Sequence, residues 1–235
     1  MSALPRASEV VVIGGGIAGV ATAYYLARAG VPVTLCEKGR IAGEQSSRNW
    51  GWIRKQGRDP RELPAIILAL RLWEEIAGAL EEDIGWHQGG VAYLAESAAE
   101  LARYEAWLSH ARTYQLDTRL LSPAEADALL GQDGRRFAGA LLTPSDARAE
   151  PTRAVPALAR AAAALGAEIH ESCAVRTLEM QAGKVAGVVT ERGPIACARW
   201  CWRAAPGRRC SCTLSGSSCR SSRSRRRCSG PRPRH

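Results

Sequence analysis

The stretch that decides the fold is Glu9-Val-Val-Val-Ile13, followed at once by Gly14-Gly-Gly-Ile-Ala-Gly19. The run into Ile13 is apolar and β-branched, the composition of a strand covered on both faces. From Val20 to Ala29 the chain is rich in Ala, Leu and Tyr, with Ala23, Leu26 and Ala27 spaced for one helical face. Gly30 closes that helix. Val31 to Glu37 is a second apolar run, bounded by Gly39, and reads as the next parallel strand. Together they predict a βαβ unit.

The glycines fall as Gly14-x-Gly16-x-x-Gly19. The first permits a tight turn, the second lets backbone approach a pyrophosphate, and the third lets helix and strand pack closely. The turn Gly14, Gly15, Gly16 and the first helical residues Ile17, Ala18 and Gly19 then present N–H groups and a partial positive charge to phosphates. Glu37 follows Gly16 by 21 residues, at the end of the second strand. A carboxylate there accepts from a ribose 2′-OH and repels a 2′-phosphate.

Outward from this unit the chain continues Ala42-Gly-Glu-Gln-Ser-Ser-Arg-Asn-Trp-Gly-Trp-Ile-Arg54. Turn and loop together resemble the FAD-binding signature of the D-amino acid oxidase-like flavoproteins, of the D-amino acid dehydrogenase and glycine oxidase type. The resemblance implies that Ser46, Ser47, Arg48, Asn49 and Gly51 contact FAD, with Lys38 beside the acidic residue. Hydroxyls and amides donate to phosphate or flavin atoms, and Arg48 offsets phosphate charge. Trp50 and Trp52 favour a buried or ligand-facing loop over a solvated one. Arg54, Lys55 and Gln56 follow, either facing the flavin ring or forming a solvated loop.

In the middle of the chain, Asp59-Pro60 is a helix start, and Ile66 to Glu82 carries a helical apolar face. Gly89 to Leu94 reads as a strand. Ser97 with Glu100 and Ser122 with Glu125 are capping-box signatures for two helices. Phe137 to Thr143 reads as a strand, Asp146 to Glu150 as a loop, and Pro151 to Leu165 as a helix with Pro156 awkwardly inside it. Three strand-like runs follow at 167–171, 174–181 and 184–191, with turns at Ala182-Gly183 and Arg192-Gly193.

This alternation predicts an α/β protein. By resemblance it is a Rossmann-like FAD-binding domain with an inserted mixed α+β substrate domain, incomplete at its C-terminus and ending in a disordered basic tail. The expected divisions are 1–85 and 146–198 for the FAD domain, 86–145 for part of the substrate domain and 199–235 for the tail. Val175 then stands where backbone meets adenine.

The 235 residues are 46% hydrophobic and 23% charged, with a net charge of +9. The last 38 residues hold 11 arginines and neither lysine nor acid. That leaves 21 basic against 23 acidic residues before them, a net of −2. The basicity therefore belongs to the tail. Five of the eight cysteines, Cys201, Cys210, Cys212, Cys219 and Cys228, also lie there. An arginine/serine nucleic-acid segment, a zinc site and a disulfide framework are the other readings of such a composition. Cys210-x-Cys212 lacks the usual zinc spacing, so no metal site is expected, nor specific nucleic-acid binding.

The genetic code supplies another account. Trp has the codon TGG, and Cys has TGC or TGT. Starting each codon of Trp200-Cys201-Trp202 one base earlier turns the second and third into Val and Leu. Arg203 to Gly207 then permit Ala-Gly-Gly-Ala-Trp, the apolar strand and glycine turn that the resembled family carries here. The expectation is a change of reading frame near Ala198, which resequencing codons 195 to 205 tests. A parallel sheet that loses later strands exposes apolar surface, so the 235-residue product is expected to be poorly stable and nearly inactive.

The resemblance implies FAD-dependent oxidation of the C–N bond of an amino acid or related amine. The electron acceptor (oxygen, quinone or a partner protein), the substrate and the oligomeric state stay open. No catalytic base is nominated, since His87, His110 and His170 are isolated. NAD-linked oxidation, a non-catalytic nucleotide-binding fragment and nucleic-acid binding through the tail are the alternatives. No run of about 18 apolar residues predicts a membrane span. With no targeting pattern at Met1 to Glu9, the cytoplasm is the expected location.

Overall fold

The computed structural model describes residues 3–131 and 137–202. In chain order the elements are β1 (Ala7–Ile13), α1 (Ile17–Arg28), β2 (Val33–Cys36), a 3₁₀ turn (Gln45–Ser47), β3 (Trp52–Ile53), α2 (Leu63–Ala79), β4 (Val91–Ala95), α3 (Ala98–Thr113), β5 (Arg119–Leu121), α4 (Pro123–Leu130), β6 (Gly139–Thr143), β7 (Ala147–Arg148), α5 (Pro151–Ala164), β8 (Glu168–His170), β9 (Val175–Gln181), β10 (Lys184–Thr190) and β11 (Gly193–Trp202).

The main sheet runs β8-β2-β1-β11-β10-β9. Its β8, β2, β1 and β11 are parallel, and β11, β10 and β9 form an antiparallel meander. Period-2 alternation divides β1 between two cores. Val10 and Val12 pack with Val33 and Leu35 against α1 and α5, while Val11 packs with Cys36, Val188, Ile195 and Trp200 on the other side. Both faces are covered, which is why Val10 to Val12 tolerates no polar residue.

A second sheet, β4-β6-β5, is antiparallel, and β3 with β7 makes a small ribbon beside it. Ser122 and Glu125 close the expected capping box at α4, and Gly131 ends that helix at φ 62°. At α3 Ser97 caps as expected. The Glu100 carboxylate, however, accepts from Glu96 N–H.

Three expectations need correction. The 146–150 segment is not all loop: Ala147 and Arg148 pair with Ile53 and Trp52. The helix expected at 66–82 spans Leu63–Ala79, because Pro64 fits its first turn. The tail does not begin at 199. Arg199, Trp200, Cys201 and Trp202 pair in parallel with Val10, Val11, Val12 and Ile13, of which the three valines are buried. Residues 203–235, and with them the nucleic-acid, zinc and disulfide readings of Cys210, Cys212, Cys219 and Cys228, lie outside the described residues. So do the glycine-turn positions of the reading-frame argument.

Candidate functional site

The glycine turn sits where β1 ends. Gly14 has φ 112° and donates its N–H to the Cys36 carbonyl, so the turn is bonded to the end of β2. Gly16 is the N-cap of α1, and its carbonyl accepts from Val20 N–H at 2.9 Å. A Cβ on Gly19 would stand 1.9 Å from the Gly14 carbonyl oxygen, and one on Gly15 would stand 2.6 Å from Ile41 Cδ1. Side chains are excluded here because helix, turn and the 37–41 segment already touch.

Glu37 is buried and turned into this crevice. One carboxylate oxygen accepts from Gly15 N–H at 2.6 Å and the other from Gly39 N–H at 2.8 Å. A carboxylate offers about four acceptor sites, so capacity remains for further donors. Helix geometry leaves Ile17, Ala18 and Gly19 N–H without carbonyls in α1. Ser46 Oγ fills the first of these places, accepting from Ile17 N–H at 2.9 Å.

The 44–52 loop wraps over that helix end. Ser47 donates to the Glu44 carbonyl. Asn49 accepts from Gly51 N–H at 2.8 Å and donates to the carbonyls of Gln45 and Ser46. Gly51, at φ 72°, passes so close that a Cβ would lie 2.0 Å from the Ala149 carbonyl oxygen. Lys38 and Arg48 are exposed, and both reach Glu44. Trp50 is 81% and Trp52 45% exposed, with ring centroids 5.4 Å apart, so of the two readings of this loop, buried or ligand-facing, burial does not hold.

The chain after β8 returns along the same crevice. His170 and Glu37 are joined by backbone, as are Ser172 with Gly39 and Cys173 with Glu37. Val175 follows at the start of β9, opposite Thr190. Cys36 and Cys173 meet in the core behind Glu37. Burial, then the neighbouring Cys173, pushes the Cys36 thiol up to about 12, which leaves it unreactive.

Sequence reasoning missed a second cluster. Lys55 and Gln56 are neither solvated nor on the rim; both are buried. Asp146 accepts from Lys55 N–H at 2.8 Å and Gln56 N–H at 3.1 Å, and the Lys55 ammonium stands 3.3 Å from the same carboxylate. Thr143 donates its hydroxyl to Gln56 Oε1 at 2.8 Å. Burial raises the Asp146 carboxyl above its ordinary range against these bonds. Arg54, the remaining member, is half-buried over the rings of Trp52 and Tyr93, 5.8 and 5.4 Å from their centroids. The one sequence signal was a lysine and a glutamine one residue after the apolar pair Trp52-Ile53. No period in the sequence links them to a residue ninety positions on.

Among the described residues the histidines stay apart. His170 is buried beside Glu168, His87 bridges to Arg148 through backbone, and His110 lies in the last turn of α3.

A parallel βαβ sheet with a glycine turn, a meander and an appended antiparallel sheet defines the class: an α/β dinucleotide-binding fold carrying a second, mixed layer. Comparison with known proteins narrows this. The family model described as DAO, FAD dependent oxidoreductase, matches residues 9–203. Over 203 residues the chain is 32% identical to mouse (Mus musculus) mitochondrial sarcosine dehydrogenase, covering 82% of this chain and 22% of that enzyme. It is 33% identical to the sarcosine oxidase subunit beta of Rhizobium meliloti (strain 1021), covering 81% of this chain and 48% of that subunit. The structure of L-amino acid deaminase from Proteus myxofaciens in complex with anthranilate superposes with a TM-score of 0.82 at 32% identity, covering 86% of this chain and 46% of that one. The chain belongs to the DAO family of FAD-dependent oxidoreductases, and it spans at most about half the length of these relatives.

FAD is the cofactor of this family. The cradle fits it: Gly16, the glycine that lets backbone approach a diphosphate, is the N-cap of α1, and the buried Glu37 carboxylate faces the same crevice. Among the described residues, no helix is long and apolar enough to cross a membrane.

Proposed function

We propose that this chain holds FAD in the glycine cradle and serves the oxidation of a C–N bond in an amino acid or related amine. The observation that carries the reading is the Glu37 carboxylate, held in the crevice by Gly15 and Gly39 N–H beside the open end of α1. The N–H groups of Gly16, Ile17, Ala18 and Gly19 take the diphosphate, while Gly15 N–H keeps Glu37 in place. Glu37 accepts from the ribose hydroxyls. Ser46 leaves Ile17 N–H for a phosphate oxygen and turns its own hydroxyl to the ligand. Ser47, Arg48, Asn49, Gly51 and Lys38 line the path, and the Val175 backbone meets the adenine. When bound, the cofactor supplies a two-electron acceptor. Arg54, held between two rings, presents a cation to the carboxylate of an amino acid substrate.

In this reading residues 1–85 and 146–198 belong to the FAD unit, extended by β11 to Trp202, and 86–145 to the substrate unit. The reducing cytoplasm suits the free thiols Cys36, Cys173 and Cys197. A change of reading frame near Ala198 would impair turnover by the 235-residue chain. The test is expression, reconstitution with FAD and the flavin absorbance after gel filtration. Retained flavin with negligible oxidation of sarcosine, glycine or larger amino acids is expected. Failure to retain any flavin overturns the cradle assignment, and brisk turnover overturns the impairment.

A further inference from the structure

Asp146 lies immediately before β7, with its side chain fully buried. Its two oxygens take the consecutive amides of Lys55 and Gln56, and the Lys55 ammonium is held from its other side by the Ser145 carbonyl at 3.2 Å and Oγ at 2.7 Å. A buried ion pair of this kind contributes little net stability, because desolvation offsets the Coulomb attraction and an apolar pair of the same volume does as well. Its geometry has a consequence that an apolar pair lacks. Two parallel amide bonds to one carboxylate fix the backbone of Lys55 and Gln56. The Gln56 carbonyl in turn accepts from Arg54 Nη1, and Arg54 is stacked over Trp52 and Tyr93.

We infer that Asp146 is a positioning residue: through the backbone of Lys55 and Gln56 it sets the Arg54 guanidinium against the Trp52 and Tyr93 rings, where the cofactor loop joins the antiparallel sheet. The inference rests on the proposed function for its consequence at the flavin, and stands apart from it for its effect on the 53–57 backbone. Asp146 touches neither cofactor nor substrate. It acts by holding Arg54 in one place before either arrives, and the cost of ordering that side chain is met in folding rather than in binding.

The test compares Asp146→Asn with Leu121→Ala in the full chain. Leu121 is buried on β5 against Ala126 and Ala140, on the face of the antiparallel sheet away from Tyr93, so its truncation is a purely structural control. Two signals are read well below the melting point: backbone hydrogen exchange of the 53–57 segment, and the visible circular dichroism of added FAD. Asp146→Asn is expected to speed exchange about tenfold, the size of one lost charge-assisted hydrogen bond, and to alter the flavin spectrum. Leu121→Ala should lower the melting temperature and move neither. Unchanged exchange and spectrum in Asp146→Asn, or equal changes in the control, overturn the inference. If the native chain takes up no FAD, the proposed function fails while hydrogen exchange still decides this point. Should Asp146→Asn not fold, the double variant Lys55→Met/Asp146→Asn removes the stranded charge. It should fold and keep the fast exchange; slow, native-like exchange there overturns the inference as well.

Discussion

In the glycine cradle the groups that meet are 2, 22 and 29 residues apart in sequence; in the Lys55–Asp146 clamp they are 90 or 91 apart. The cradle is built mainly from backbone N–H groups, whose position follows once strand, turn and helix are in place. The clamp is built from two buried side-chain charges that meet only after both sheets have formed. The cradle therefore resists change by crowding, and the clamp by charge balance. Each mode of construction predicts its own failure.

The largest loss is expected at the clamp. Lys55→Met leaves the Asp146 carboxylate buried without its cation, which costs about 3–5 kcal/mol. The loss should depend on pH. Burial already raises the Asp146 carboxyl, so the folded state binds this proton more readily than the unfolded state does. That proton favours folding at low pH, and its contribution falls as pH climbs through the unfolded value of about 3.9 toward the folded one. Without Lys55 the fall is steeper. Exposed carboxylates run the opposite way: Arg61 holds Asp59 at about 2, and Arg160 lowers Glu82, so their contribution is lost as pH falls. Denaturant midpoints of the native chain and Lys55→Met, from about pH 4 to about pH 8, should diverge as pH rises. Parallel curves would show that the clamp is solvated.

At the cradle the sharpest change is Gly19→Ala. Its Cβ meets the Gly14 carbonyl oxygen at 1.9 Å, and the obstacle is backbone on both sides. Helix and strand must separate, at about 3 kcal/mol, and bound flavin should be lost. Urea unfolding and flavin absorbance measure the two effects. Unlike the loss at the clamp, this one should be the same at every pH.

How much of each region was legible follows from the same contrast. The run Glu9 to Gly19, the helix to Arg28 and Glu37 could be placed from spacing alone, because every contact they make is set by one βαβ unit. Ser122 with Glu125 was legible for the same reason, being a pair three residues apart. Lys55, Gln56 and Asp146 gave no such signal. Trp50 and Trp52 were legible only as buried or ligand-facing; burial does not hold, because the Gly51 turn between them depends on Ala149, a contact across nearly a hundred residues. The start of the tail was misplaced since arginine and cysteine suggested solvent, whereas pairing with Val10 to Ile13 keeps the chain in the sheet through Trp202.

Glu37→Gln sharpens the comparison by removing charge from the cradle without crowding it. The amide keeps one acceptor and turns an NH₂ toward either Gly15 or Gly39 N–H. A loss of about 1–3 kcal/mol is expected, with FAD affinity down about tenfold, one kilocalorie-scale interaction. Titration of flavin fluorescence measures the affinity. An unchanged value would mean that the carboxylate serves the turn and not the sugar.

The smallest effect is expected at Trp200, directly behind the cradle. It stands opposite Val11 on β11, is 7% exposed, and its indole N–H finds no acceptor among the described residues. The aliphatic residues packed with it, Val11, Val188 and Ile195, bring no side-chain donor. Trp200→Phe deletes the orphan donor and keeps most of the ring, so relief of an unmet hydrogen bond, about 1–3 kcal/mol, is set against lost indole area. A net gain of up to about 1 kcal/mol is expected, read as a higher melting temperature. A stranded donor on the buried face of β11 is what a reading-frame change near Ala198 would leave, since the displaced frame supplies apolar residues that carry no donor. A destabilised Trp200→Phe would show that the indole is well accommodated, and would remove the structural support for that account even before the gene is resequenced.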